Sequence, residues 1–129
     1  MATPIDTSQE GQKQVPHDPW PTDLHLEDGG AWLRVQFEDE TQARLSAELL
    51  RVESPSAEVQ GHGPDQKQLI RDKSDVKITG MEAVGRYAVR LTFDDGHDTG
   101  IFSWVLLYDY GQRKDAMMAA YKQRLSETG

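Results

Sequence analysis

The stretch Tyr87-Ala88-Val89-Arg90-Leu91-Thr92-Phe93-Asp94-Asp95-Gly96, continued by Gly100-Ile101-Phe102-Ser103-Trp104-Val105-Leu106-Leu107, decides the fold. Apolar and polar residues alternate from Tyr87 to Phe93, the period of a strand with one buried face, and Asp95-Gly96 is a strong hairpin turn signal. Ser103 then occupies the N-cap position of a helix opening at Trp104, where its hydroxyl can accept an N–H of the first turn. The same grammar occurs earlier. Trp32-Leu33-Arg34-Val35-Gln36-Phe37, the acidic turn Glu38-Asp39-Glu40, Ala43-Arg44-Leu45 and Ser46 before Ala47-Glu48-Leu49-Leu50 form a first copy. Phe37 matches Phe93 and Ser46 matches Ser103, with one extra residue in the second turn. Two hairpin-plus-helix units predict a small single α+β domain, a mostly antiparallel sheet with helices on one face. The likeness is open to two explanations, internal duplication or convergence on a generic hairpin and cap.

Outside these units the pattern is simpler. Leu24 and Leu26 share one face of a short strand near Trp20 while His25 points to the other, and Val76-Lys77-Ile78 with Met81 and Val84 read as a further strand. Gln60-Gly61-His62-Gly63-Pro64-Asp65 is a loop by its Gly and Pro content. Gly111 is expected to end the Trp104 helix, and Ala116, Met117, Ala120, Tyr121 and Leu125 then fall on one stripe of a C-terminal amphipathic helix. Its other face, with Arg113, Lys114, Lys122 and Arg124, reads as solvated. Residues 1–19 are polar and Pro-containing, too poor in apolar groups to offset their ordering entropy, and are expected to form a disordered tail; the domain spans 20–127.

A 129-residue chain suffices for one core, and its net charge of -8 opposes binding to nucleic acid or to an anionic membrane. No apolar run reaches the roughly 18 residues of a membrane span, and the first twenty residues lack the apolar stretch of a secretory signal. With no cysteine there is no disulfide framework, which fits the cytoplasm.

Leu50-Arg51, Gly61-His62-Gly63, Gly85-x-Tyr87-Ala88-Val89 and the Phe93 to Trp104 segment carry a more specific signal. Through them the chain, over about residues 20 to 110, resembles the N-terminal domain of γ-butyrobetaine hydroxylase and the small free-standing bacterial proteins built on that domain. In hydroxylase-type members a Leu-Arg-x-x-Cys-Pro-Cys-x-x-Cys run supplies three thiolates, and a His in a distant Asp-x-His segment completes a zinc site. Laid on this sequence, the thiolate positions fall on Ser54, Ser56 and Val59, and the histidine on His97. Structural zinc needs four donors drawn from thiolate, imidazole and carboxylate. Two protonated hydroxyls and an isopropyl group do not provide them, so no metal is expected at these four positions and no cofactor is expected at all.

The remaining candidates are histidines and carboxylates. His62 and His97, with Asp95 or Asp98, could form a site for iron or another transition metal. His97 is flanked by Asp94, Asp95 and Asp98, which would favour its protonated form if close in space. His25-Leu26-Glu27 has the His-x-acid spacing of iron oxygenases, but the strand segments are too few for their barrel, and the hydroxylase's oxygenase chemistry belongs to a downstream domain. Gly61 to Lys67 lacks the ending of a phosphate loop, and neither a Gly-x-Ser-x-Gly elbow nor a thiol nucleophile is present. The chain is therefore not expected to be an enzyme. The resemblance extends to domains attached to P-loop carriers of iron–sulfur clusters in plastids. It implies a non-catalytic accessory module that docks on a metalloenzyme or iron–sulfur carrier, its partner a protein. Arg51, His62, Asp95, His97 and Asp98 are the expected interaction surface, where histidine substitution should cost little stability.

Overall fold

The computed structural model describes residues 18–61 and 64–127. The expected tail falls almost wholly outside the described residues, and so does His62. β1 (Pro21–Glu27), β2 (Trp32–Phe37) and β3 (Gln42–Ser46) form one antiparallel sheet in that order; β4 (Ile78–Val84), β5 (Ala88–Phe93) and β6 (Gly100–Ser103) form a second. α1 (Ala47–Val52) and the short α2 (Ala57–Gln60) follow β3, and α3 (Trp104–Glu127) follows β6. The fold is α+β with a long C-terminal helix, and the expected hairpins are divided between two sheets, each extended by the strand that precedes its hairpin. The division has a packing cause. Two sheets bury their apolar stripes against a common core, which the helices complete. Leu33, Val35 and Phe37 of β2 meet Val89, Leu91 and Phe93 of β5 in that core, with Leu49, Leu50, Leu107 and Tyr108 from the helices.

The two units correspond bond for bond. Phe37 N–H donates to the Thr41 carbonyl and Phe93 N–H to the His97 carbonyl, both at 2.9 Å. Asp39 and Asp95 each accept, with Oδ1, the N–H two residues on, at 2.9 and 3.0 Å. Ser46 and Ser103 cap α1 and α3 as expected, accepting from Leu49 N–H at 3.1 Å and Leu106 N–H at 3.0 Å. Bulges fall at matching places, between Pro21 and Asp23 and between Ile78 and Gly80. The helices then cross. Tyr108, fifth in α3, donates its hydroxyl to Asp39 Oδ2 at 2.6 Å, while Arg51, fifth in α1, donates Nε to Asp95 Oδ2 at 2.7 Å. Each unit's helix thus holds the other unit's turn, the reciprocity that defines an isologous two-fold contact.

Gly111 does not end a helix, and this corrects the sequence expectation. α3 runs through it without interruption to Glu127. Its lack of a side chain serves close approach instead, because a Cβ there would lie 2.6 Å from Ala43 Cβ on β3. The counterpart contact in the other unit is Ser54 against Gly100, where any Cβ on Gly100 would strike Ser54 Oγ. One unit places the glycine on the helix and the other on the strand. Of the expected stripe beyond Gly111, Tyr121 is buried and donates its hydroxyl to the Ile70 carbonyl, while Ala116 and Ala120 face solvent.

Gly111→Ala gains about 1 kcal/mol of helix propensity but overpacks the β3 contact, so a net loss of about 1–2 kcal/mol is expected. Adding Ala43→Gly places the glycine on the strand, as at Gly100, and should recover most of that loss in a denaturation double-mutant cycle. Additive losses would show that the contact is not limiting.

Candidate functional site

Ser54, Ser56, Val59 and His97 converge although His97 is distant from the others in the chain. Ser54 and Ser56 lie in the segment leaving α1, which Pro55 prevents from continuing as helix, and Val59 lies in α2. His97 ends the β5–β6 turn, where the Asp95 carboxylate fixes its backbone and directs the ring inward. His97 Nε2 is 3.0 Å from Ser54 Oγ and 3.4 Å from Ser56 Oγ, and the two hydroxyls are 3.4 Å apart. On the other side of the ring, Nδ1 lies 3.2 Å from Glu58 Oε1, which also accepts from Thr99 Oγ1 at 2.8 Å. With Nδ1–H directed at Glu58, Nε2 accepts a serine hydroxyl proton.

The donor set does not fit zinc. It consists of two hydroxyls, an isopropyl group and an imidazole whose nitrogens are both engaged, and among the described residues no cluster of three or more His, Cys, Asp or Glu could hold a metal. A carboxylate, an imidazole and a hydroxyl in the order Glu58, His97, Ser54 have the sequence of a nucleophilic relay. Access rules against that use, since Ser54 is 0 % exposed and Gly100 closes against it.

Beside this cluster lies a second knot of charge. Asp95 Oδ2 accepts from Arg51 Nε and from Lys73 Nζ, each at 2.7 Å, with the Arg51 and Asp95 side chains only 13 % and 18 % exposed. Burial raises the Asp95 carboxyl, but Lys73, the His97 N–H and Arg51 outweigh it and hold the group far below the ordinary carboxylate range. For His97 the balance runs opposite to the sequence expectation. Burial lowers its pKa most and the Arg51 cation lowers it further, while Glu58, Asp95 and Asp98 raise it by less, so the ring is kept neutral. The expected surface residues Arg51, Asp95, His97 and Asp98 differ in access. Asp98 is exposed, the His97 side chain is 4 % exposed, and Arg51 and Asp95 pair with each other, Asp95 also with Lys73, while Arg51 Nη1 has no hydrogen-bond partner among the described residues. They border an open cleft of about 450 Å³ together with Glu58 and Val59. Because His97 is buried and bonded on both nitrogens, its removal should cost more than a surface change. Glu58, in the first turn of α2, and Lys73, between elements, were not among the expected site residues, since no sequence spacing relates either to His97 or Asp95.

A neutral buried histidine has a definite pH signature. Below the ordinary value of 6.5 the unfolded chain binds a proton that folded His97 resists, so His97's contribution is full above pH 6.5 and declines as pH falls below it. His97→Gln should flatten the stability profile just below pH 6.5 while leaving the acid loss due to Asp95 below its ordinary 3.8. An unchanged profile would remove His97 from the linkage. EDTA should leave the melting temperature of the native chain unchanged. The variant Ser54→Cys, Ser56→Cys, Val59→Cys, purified untagged, should take up about one zinc per chain and lose it on His97→Ala.

Comparison with known proteins agrees with the geometry. The profile of the gamma-butyrobetaine hydroxylase-like, N-terminal family matches residues 24–108. Two solution NMR structures are 42% identical to the chain; one covers 87% of it and 88% of the other chain at TM-score 0.74, the second 90% and 88% at 0.75. A crystal structure from Acidithiobacillus ferrooxidans, a protein of unknown function in the DUF971 family, is 34% identical over 70% of this chain and 91% of its own, at TM-score 0.59. No functionally curated protein matches. With two sheets, the crossing helices and the four ligand positions brought together, the chain belongs to the gamma-butyrobetaine hydroxylase-like N-terminal domain family.

Proposed function

We propose that the chain is a non-catalytic interaction module of the cytoplasm. The observation that carries this reading is that its chemically capable groups are turned inward. Ser54 stands in relay order with His97 and Glu58 but has no solvent exposure, and Arg51 is tied to Asp95. A nucleophile that substrate cannot reach contributes to the fold and not to turnover. The attachment of similar domains to iron–sulfur carriers points to a metalloenzyme or an iron–sulfur cluster carrier as the docking partner. Nothing in the described geometry favours a metal site on His62 and His97, because both His97 nitrogens already have partners. Among the described residues no helix is long and apolar enough to cross a membrane.

Proximity labelling in the source cells supplies candidate partners, each of which is purified and titrated calorimetrically. Saturable binding to a metal- or cluster-carrying protein, unchanged by Ser54→Ala, is the expected result. A fluorophosphonate probe should leave the native chain unlabelled. Labelling at Ser54 that disappears with His97→Gln would overturn the non-catalytic reading.

A further inference from the structure

The two-fold correspondence supplies an internal control for the molecular surface. On the outer face of the first sheet, Glu27 accepts from Arg34 Nε and Arg44 Nε at 2.9 and 2.8 Å, and the Arg44 guanidinium lies 4.0 Å from the centre of the Trp32 ring. Beside it, the corner made by Ala31, Trp32, Ser46 and Glu48 is roofed by the second half of α3, leaving a pocket of about 410 Å³. Lys114 of that helix donates to the Arg44 carbonyl on the edge of β3 at 3.0 Å, and Met118 forms part of the pocket wall.

The strand registers identify the same positions in the second unit. Glu27 pairs with Trp32 as Val84 pairs with Ala88, and Arg34 pairs with Arg44 as Arg90 pairs with Ile101. Ala31 and Tyr87 correspond, since their carbonyls accept the N–H of Ala47 and Trp104, the residues that open α1 and α3. Where the first unit has Glu27, Arg44 and Glu48, the second has Val84, Ile101 and Val105. These are not buried in exchange: Val84 is 37 %, Ile101 47 % and Val105 43 % exposed, and the neighbouring Tyr87 62 %. The reason is visible in the helices. α3 continues past Gly111 and covers the first corner, whereas α1 ends at Val52, and Pro55 carries the chain away. The second corner keeps an apolar floor and lacks the helix that would roof it.

We propose that this corner, floored by Tyr87, Ile101 and Val105, docks an amphipathic helix of a partner protein. The docked helix lies along β6 as the second half of α3 lies along β3. The inference rests on the interaction-module reading and gives it a surface. Charge selects the partner's sequence. Arg86 is exposed beside Tyr87 and forms no ion pair among the described residues, in a chain of net charge -8. A helix with a leucine stripe and a flanking carboxylate complements both the floor and this cation. Three neighbouring exposed apolar side chains, two of them where the first unit carries Arg44 and Glu48, are poorly explained by solvation.

The test uses the ¹⁵N-labelled full chain and two stapled 16-residue helices, each with a leucine stripe, one flanked by Glu and the other by Lys. The Glu-flanked helix should give saturable shifts at the amides of Val84, Tyr87, Ile101 and Val105 and bind at least tenfold tighter than the Lys-flanked one. Arg86→Glu should reverse that order. Val84→Glu with Ile101→Arg copies the Glu27–Arg44 pair onto exposed positions, so the chain should keep its melting temperature and lose the helix. Absence of saturable binding by either helix, shifts centred on the α3–β3 corner, or the same amides moving with protein concentration as in self-association would each overturn the proposal. A partner from proximity labelling that binds but maps elsewhere would overturn the surface alone, whereas fluorophosphonate labelling of Ser54 would overturn the module reading beneath it.

Discussion

The structure depends on a reciprocal contact in which the helix of each unit holds the turn of the other. A two-residue carboxylate bond closes each turn, through Asp39 in the first unit and Asp95 in the second, leaving the second carboxylate oxygen to be satisfied from outside. Tyr108 satisfies one and Arg51 the other. Each clasp ties a turn to a helix that the chain forms elsewhere, and at the second turn, where the Asp95 side chain is 18 % exposed, the donor also offsets the cost of desolvating the carboxylate. The contact joins segments far apart in sequence and makes the two halves interdependent. The partners differ in kind: a neutral phenol serves the first turn, while a guanidinium and Lys73 serve the second. The second clasp therefore places cations near His97, and the Arg51 cation helps to lower its pKa.

Most of the molecule's asymmetry follows from one divergence. At corresponding points Gly111 lets α3 pass close over Ala43 and continue, whereas Ser54 meets Gly100 and Pro55 then turns the chain aside. The continuing helix roofs the corner of the first unit. The segment that turns aside brings Ser54, Ser56 and Val59 to His97 and leaves the corner of the second unit open. The cluster of Ser54, Ser56, Val59 and His97 and the uncovered apolar floor are two results of the same early end of α1.

This divergence also marks the limit of what the sequence discloses. Period-two alternation and serine caps are local signals, and they identified the hairpins and both helix starts at Ser46 and Ser103. Gly111 was misread because the local rule, that glycine ends helices, competes with a tertiary one, that glycine permits contact, and only the position of Ala43 decides between them. The convergence of Ser54, Ser56 and His97 was legible through the family resemblance alone. Their burial was not, since exposure depends on Gly100 and Glu58, which nothing local connects to them. The sign of the His97 shift was missed for the same reason: neighbouring aspartates are visible in the sequence, but desolvation and Arg51 are not.

The cluster of Ser54, Ser56 and His97 closes on its own hydrogen bonds. A structural zinc site contributes about 10–16 kcal/mol to small domains that are otherwise unfolded. Here two sheets bury Leu33, Val35, Phe37, Val89, Leu91 and Phe93 in a core independent of the site. The buried polar atoms of the cluster need only satisfy one another. Ser54 and Ser56 do so with hydroxyls, His97 takes the neutral form that costs least to bury, and Val59 adds apolar contact where a fourth donor would have no partner. Neutrality is what makes the arrangement self-consistent. A protonated His97 would place a cation beside Arg51 in a water-poor site, whereas the neutral ring closes a chain of hydrogen bonds from Glu58 to Ser56 and leaves Arg51 to Asp95.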